Sequence, residues 1–190
     1  VFVQTSGPTV GTFNVHDNTI NGASGDAVQL QHNSSGTWTG HIKTNAIGTL
    51  ATAKSGSTTG DGIGIDVFGT GKGVVDVSSN TILNIGAGKG ISATASSASA
   101  TLHVSLLSNT VKMVQISSQD GMTVGSAGTV CLNATGNTSV AAGTAIGTSL
   151  YDMTGLGVLQ DATNSVFQIQ GYGGSATNDV LVALNCDAPV

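Results

Sequence analysis

The stretch Val75-Asp76-Val77-Ser78-Ser79-Asn80-Thr81-Ile82 decides the fold. Its apolar residues alternate with polar ones up to Ser79, and one further apolar residue follows Asn80 by two positions. A period of two is typical of a strand with one buried face, and the Ser-Ser-Asn segment is typical of a turn. The stretch therefore predicts a strand, a corner and a second short strand.

The same pattern recurs in five copies that align on one asparagine. The aligned residues are Asn18, Asn45, Asn80, Asn109 and Asn137. Three positions earlier stand Val15, Ile42, Val77, Leu106 and Ala134, and two positions later stand Ile20, Ile47, Ile82, Val111 and Ser139. An internal repeat of about 28 residues indicates a solenoid, in which each copy is one structural unit stacked on the next.

A second motif, a small residue followed by apolar-x-apolar, lies between the asparagines. Its copies are Ala27–Leu30, Gly62–Ile65, Gly90–Ala93 and Gly121–Val124. The distance from this motif to the next asparagine is nearly constant, whereas the other side of the repeat carries insertions, the longest from Gly48 to Gly60. Insertions on one side are typical of solenoids. A leucine-rich repeat has a similar period but needs several leucines in each copy, which this chain lacks.

These patterns predict an all-β fold, a right-handed parallel β-helix of about six to seven coils that rise about 4.8 Å each. We expect the asparagine amides to stack along one corner, where Asn also tolerates left-handed backbone geometry. The prediction is a single domain over 1–190, with regular coils over about 10–140 and degraded coils and a closing segment over about 141–190. The run Ala176–Leu184 has helical spacing and predicts a short C-terminal capping helix, although its β-branched residues also suit a strand.

Composition excludes several classes of function. The chain has a net charge of -5 and contains neither Arg nor Glu, which disfavours a helical protein and a nucleic-acid-binding protein. No stretch approaches the roughly 20 apolar residues of a membrane-spanning helix. Because no charged segment precedes an apolar run at the start, no signal peptide is predicted, and we expect the chain to be an excised part of a longer polypeptide.

The chain resembles the right-handed parallel β-helix domains of large secreted or surface-anchored bacterial proteins of the adhesin-like, β-strand-repeat class. The resemblance rests on Val77–Ile82, Gly60–Ile65, Val130–Thr138 and the tail Gly171–Leu184. It implies an extracellular or cell-surface location and a non-catalytic structural or adhesive role, as a rigid spacer or a subunit of a surface fibre. The implied partners are other copies or adjacent domains, stacked end to end.

Polysaccharide binding or cleavage is the alternative, since the same architecture hosts such proteins. Hydrolases of this fold need clustered Asp residues, whereas the ten Asp here are spread along the coils and Asp61 with Asp66 is the nearest approach to a pair. Lyases of this fold use Arg or Lys beside calcium-binding acids, and Arg is missing. We therefore expect no enzyme and no cofactor. We expect Trp38 to pack in the core instead of serving as a sugar platform, and a lone Thr37-Trp38-Thr39 segment does not make an ice-binding array.

Three kinds of polar site remain as hypotheses. His41 falls in register with Asn14 and Asp76 on an outward file, but one His without an acidic or Cys cluster predicts no metal site. Cys131 is predicted to face outward and to pair with Cys186 in a disulfide, the alternative being two unpaired thiols. Of the glycosylation sequons, Asn33 and Asn133 are the candidates, and Asn137 is disfavoured because it belongs to the stacked asparagines.

Overall fold

The computed structural model describes residues 1–8, 10–113, 121–141, 151–152, 158–159 and 176–180. Within these ranges every regular element is a β-strand and no helix occurs. The strands follow one another in groups of three, one group to a coil. The first two coils contain β1 (Phe2–Ser6), β2 (Gly11–His16), β3 (Thr19–Ile20), β4 (Val28–Asn33), β5 (Thr37–Lys43) and β6 (Ala46–Ile47).

The next coils repeat this arrangement. The third and fourth contain β7 (Ile63–Phe68), β8 (Lys72–Ser78), β9 (Thr81–Leu83), β10 (Ile91–Ala95), β11 (Thr101–Leu107) and β12 (Thr110–Met113). The remaining strands are β13 (Met122–Ser126), β14 (Thr129–Ala141), β15 (Tyr151–Asp152), β16 (Val158–Leu159) and β17 (Ala176–Val180).

Strands of successive coils pair in parallel and form three faces. The first face has the order β1-β4-β7-β10-β13-β15; the second has β2-β5-β8-β11-β14; the third has β3-β6-β9-β12 and ends on the last part of β14. The chain is thus a parallel β-solenoid of the predicted class. Its right-handedness stays a prediction, in keeping with the general rule for parallel crossovers.

The core lies inside the coil because buried and more exposed residues alternate along most of the strands. Strand β11 is a regular case, in which Leu102, Val104 and Leu106 are buried and the residues between them are partly exposed. Parallel, in-register pairing places equivalent residues of successive coils side by side, so that Ile63 lies between Val28 and Ile91. The inward side chains of all the coils therefore form one continuous apolar cluster.

Two predictions about the ends need correction. The described residues make about four complete turns instead of the six to seven expected. The predicted capping helix is wrong over Ala176–Val180, since this segment is strand β17 and pairs antiparallel with β14. Its β-branched residues favour an extended backbone, and the free edge of β14 supplies hydrogen-bonding partners. Residues 181–184 of the predicted helix lie outside the described residues.

Candidate functional site

The five repeat asparagines lie in one column at the corner between the second and third faces; we call this the asparagine column. Four of them, Asn45, Asn80, Asn109 and Asn137, are at most 1% exposed. Asn80 shows the bonding pattern. Its Oδ1 accepts hydrogen bonds from the backbone N–H and the Nδ2 of Asn45, at 3.0 and 2.9 Å. Its Nδ2 donates to Asn109 Oδ1 at 3.0 Å and to the carbonyl of Ile42 at 2.8 Å.

Each link of the column repeats this geometry between neighbouring coils. The amide of Asn18 donates to Asn45 Oδ1 at 2.9 Å, and the amide of Asn109 donates to Asn137 Oδ1 at the same distance. Every interior amide uses its oxygen twice and its nitrogen twice, so no polar atom of these buried side chains lacks a partner. The arrangement can hold coils together at a corner; it offers no reactive group.

The left-handed backbone predicted for the asparagines of the column lies one residue earlier. At this corner the residues with positive φ are those directly before each asparagine of the column. They are Asp17, Thr44, Ser79, Ser108 and Gly136, with φ of 55°, 53°, 56°, 55° and 67°. The asparagine is needed for its amide, and the strain of the corner falls on the preceding residue, which is usually small or polar.

Within the described residues the first coil packs against its neighbour on one side only. Its inward residues Val3, Phe13 and Ile20 are only partly buried against the core. In the second coil Leu30 and Ile47, the counterparts of Val3 and Ile20, are at most 1% exposed. The edges of β1, β2 and β3 also pair on one side only within the described residues.

A group of carboxylates lies on the outward surface of the first face; we call Asp26, Asp61 and Asp66 the acidic face. Asp26 Oδ1 accepts a hydrogen bond from the backbone N–H of Asp61 at 2.7 Å. Asp61 Oδ1 in turn accepts one from the N–H of Lys89 at 2.7 Å. The Asp26 carboxylate occupies the space where a side chain at position 64 would stand, and so position 64 is glycine.

The electrostatics of the acidic face follow from burial and crowding. Burial raises the pKa of the Asp61 carboxyl, and the neighbouring charge of Asp26 raises it further, while the N–H of Lys89 opposes the shift. Burial likewise raises the pKa of Asp66, with further contributions from the charges of Asp26 and Asp61. Carboxyl groups with raised pKa can exchange protons nearer neutral pH than an isolated Asp.

The sequence singled out the pair Asp61 and Asp66 and did not include Asp26. A signal was present, because Asp26, Asp61 and Lys89 each directly precede the small residue of the second motif. Parallel stacking brings these positions together, which a count of acids per coil does not reveal.

The outward file of Asn14, His41 and Asp76 is in register as expected. His41 Nδ1 lies 3.1 Å from Asp76 Oδ2, and their side chains are 25% and 18% exposed. Ser78 donates to the same carboxylate oxygen at 3.1 Å. Among the described residues no group of three or more His, Cys, Asp or Glu is placed to hold a metal ion. The pair can fix the side chains of two coils to each other.

His32 and Trp38 belong to the core. His32 is fully buried; its Nε2 donates to the carbonyl of Gly36 at 2.9 Å, which leaves Nδ1 to accept from Thr5 Oγ1 at 2.7 Å. Trp38 is 3% exposed and packs between the rings of His32 and Phe13, at centroid distances of 5.7 and 4.5 Å. Trp38 is therefore a packing residue, as the sequence suggested, and offers no exposed sugar platform.

Cys131 lies in the outward file of β14, in register with His103. The outward orientation agrees with the prediction, and the side chain is 3% exposed. Cys186 lies outside the described residues, and the disulfide between them stays a prediction.

The sequons differ in accessibility. Asn33 is exposed at the end of β4, Asn133 is partly exposed on β14, and Asn137 is fully buried in the asparagine column. Asn33 and Asn133 remain candidates for glycosylation, and the burial of Asn137 leaves no room for a sugar.

Comparison with known proteins gives no relative. No protein-family model, no curated protein and no solved structure matches the chain. In the described part of the chain, no helix has the length and apolar character needed to cross a membrane.

Proposed function

We propose that the chain is a non-catalytic structural module of a bacterial extracellular or cell-surface protein, where it acts as a rigid spacer. The observation that carries this proposal is the asparagine column. Its buried amides tie successive coils side chain to side chain and side chain to backbone at one corner. A continuous apolar core runs beside it.

Rigidity follows from how these contacts are distributed. A solenoid gains stability from the interfaces between neighbouring repeats, so a rod bends only if those interfaces open. Opening one interface here would expose a row of inward aliphatic side chains and leave buried amides without partners, which costs about 1–3 kcal/mol for each polar group alone. A chain built in this way suits a load-bearing or spacing role.

The spacer is favoured over a self-assembling fibre. Strand β17 pairs antiparallel with β14 at Ala134 and from Asn137 to Ser139. This pairing covers the edge of β14 that the first coil of another copy would otherwise join. A spacer in which other domains flank the solenoid needs no such self-contact.

Single-molecule pulling tests the spacer. The full chain is held between two handle domains and stretched, with Asn80→Asp as the matched variant. We expect the parent to resist extension until a cooperative rupture, and the variant to rupture at lower force. Gradual lengthening of the parent at low force would contradict the proposal. Electron microscopy of the chain at high protein concentration tests the fibre hypothesis, which requires that filaments form.

Polysaccharide binding or cleavage is the second candidate, and the acidic face is what favours it. Asp26, Asp61 and Asp66 place three carboxyl groups, two with raised pKa, on an outward surface. Paired carboxyls in different protonation states are what glycoside hydrolysis requires. A glycan array followed by a reducing-end assay on any bound polysaccharide tests this, with Asp66→Asn as control. No binding, or release that Asp66→Asn leaves unchanged, would dismiss it.

A further inference from the structure

We propose that residues 48–60, which we call the insertion loop, form a binding site for an acidic sugar whose carboxylate is held by the ammonium group of Lys54. The insertion loop connects β6 on the third face to β7 on the first face. The site goes beyond the spacer role and uses neither the asparagine column nor the acidic face.

The insertion loop borders an open cavity of about 410 Å³. Asn21 and Gly22, which directly follow β3, form one wall, and the insertion loop supplies Thr49, Thr52 and Lys54 to the other. Binding sites for small molecules have volumes of about 300–1,000 Å³, so the cavity is large enough for a ligand. Insertions into the repeats of a solenoid often lie on its binding face.

Hydrogen bonds from both neighbouring coils hold the insertion loop. The buried Asn84 of the third coil donates from Nδ2 to the carbonyls of Thr49 and Thr52 at 2.7 and 3.2 Å. Ser55 Oγ accepts from the N–H of Thr49 at 2.7 Å and donates to its carbonyl at 2.9 Å. From the first coil the N–H of Gly22 donates to the carbonyl of Ser55 at 2.6 Å. The walls are therefore fixed before a ligand arrives, which lowers the entropic cost of binding.

These hydrogen bonds leave four polar side chains to the cavity. The hydroxyls of Thr49 and Thr52, the amide of Asn21 and the ammonium of Lys54 have no hydrogen-bond partner among the described residues. Lys54 also has a φ of 54°. This conformation is strained for a residue other than glycine, and such strain is common at ligand-binding sites.

The chemistry of the walls favours a ligand with one negative charge and several hydroxyls. Among the described residues that line the cavity, Lys54 is the one charged residue, and none is aromatic or a large aliphatic residue. One ammonium balances one carboxylate, whereas a phosphate dianion would bring excess negative charge to a chain whose net charge is already -5. A sugar that carries a carboxylate supplies both the charge and the hydroxyls.

Titration of the full chain with sodium glucuronate at neutral pH tests the site, with glucose as the matched neutral sugar. The amide chemical shifts of the isotope-labelled chain are the measurement. Lys54→Gln removes the charge from the cavity, and Lys43→Gln makes the same change at an exposed position at the end of β5. We expect saturable shifts in the insertion loop and at Asn21 and Gly22, with affinity about tenfold weaker for Lys54→Gln and unchanged for Lys43→Gln.

The other outcomes each overturn part of the proposal. Absence of saturable shifts with glucuronate would overturn the site, and shifts confined to the acidic face would overturn its location. Equal affinity of the parent and Lys54→Gln, or equal affinity for glucose and glucuronate, would overturn the role of Lys54. Tighter binding of inorganic phosphate than of glucuronate would overturn the class of ligand. The amide spectrum outside the insertion loop shows whether Lys54→Gln is folded, and the rigidity measured by pulling is judged separately.

Discussion

At two corners of this solenoid, side-chain oxygens accept hydrogen bonds that join successive coils. The hydrogen bonds at the two corners run in opposite directions along the chain. At the asparagine corner the backbone N–H of Asn45 donates forward to the side chain of Asn80 in the following coil. The acidic face (Asp26, Asp61 and Asp66) starts at the corner that precedes the first face, and we call this the acidic corner. There the N–H of Asp61 donates backward to the side chain of Asp26 in the preceding coil, and the N–H of Lys89 donates backward to Asp61.

The difference shows what an amide can do that a carboxylate cannot. An amide carries an acceptor and two donors, so it can receive from one coil and pass a hydrogen bond to the next. The asparagine column is thereby continuous from Asn18 to Asn137, and its last four amides are buried. A carboxylate only accepts, and stacked carboxylates repel one another, so the acidic corner keeps its groups partly exposed. Partial burial first, and the neighbouring negative charges second, raise the pKa of Asp61 and Asp66.

The largest effect is expected where the donors of the column are removed. Asn80→Asp replaces the Nδ2 donor by an oxygen, which would face Asn109 Oδ1 and the carbonyl of Ile42. Both are buried acceptors that receive hydrogen bonds from Asn80 in the parent chain. At about 1–3 kcal/mol for each unsatisfied group, the free energy of unfolding should fall by about 2–6 kcal/mol. Urea unfolding followed by Trp38 fluorescence at neutral pH measures it.

Asn18→Asp is the matched control, because Asn18 sits in the same column but is only partly buried. Water can solvate the new carboxylate, and the loss should be smaller, about 1 kcal/mol. If the two substitutions cost the same, burial of the amides is not what gives the column its strength.

The sequence predicted the asparagine corner better than the acidic corner, because only the asparagine corner repeats the same residue types at fixed offsets. Asparagine recurs with aliphatic residues at fixed offsets, so the column could be read from a single alignment. Asp26, Asp61 and Lys89 share a register position but not a residue type, and Asp66 enters the group from the middle of a strand. The positive φ before each asparagine was also missed, because Asp17, Thr44 and Ser79 have no common signature.

A substitution at Gly64 tests whether the acidic corner contributes to the free energy of unfolding, as the asparagine column is expected to do. A Cβ at position 64 would lie 3.2 Å from Asp26 Cγ and closer still to its carboxylate oxygen. Gly64→Val should therefore push Asp26 away from the N–H of Asp61 and lower the free energy of unfolding by about 1–3 kcal/mol. Gly125→Val is the control on the same face, because its surroundings leave room, with Thr94 atoms at 3.8 Å. Equal losses would show that the face tolerates no side chain at either place, whatever Asp26 does.

Two substitutions at Asp26 separate the contribution of its hydrogen bond to stability from that of its charge. Asp26→Asn keeps an oxygen for the N–H of Asp61, whereas Asp26→Ala removes it. We expect Ala to cost about 1 kcal/mol and Asn to cost little, since the amide also relieves repulsion with Asp61 and Asp66. Thermal unfolding of the two variants decides this, and an Asn variant as unstable as the Ala variant would mean that the negative charge of Asp26 is itself stabilising.

The smallest expected effect is on the pH dependence of stability. Its sign follows from the raised pKa values of the carboxyl groups at the acidic corner. In the folded chain the pKa values of Asp61 and Asp66 lie above their ordinary value, so the folded state takes up protons at a higher pH than the unfolded chain. Their contribution to stability should rise as the pH falls from neutral through these raised values, and level off near the unfolded value of about 3.9. The unfolding temperature of Asp61→Asn or Asp66→Asn should rise less over this interval than that of the parent, while the uncharged asparagine column gives no such slope. An identical pH profile in parent and variants would show that other acids control it, and would remove the electrostatic contrast between the two corners.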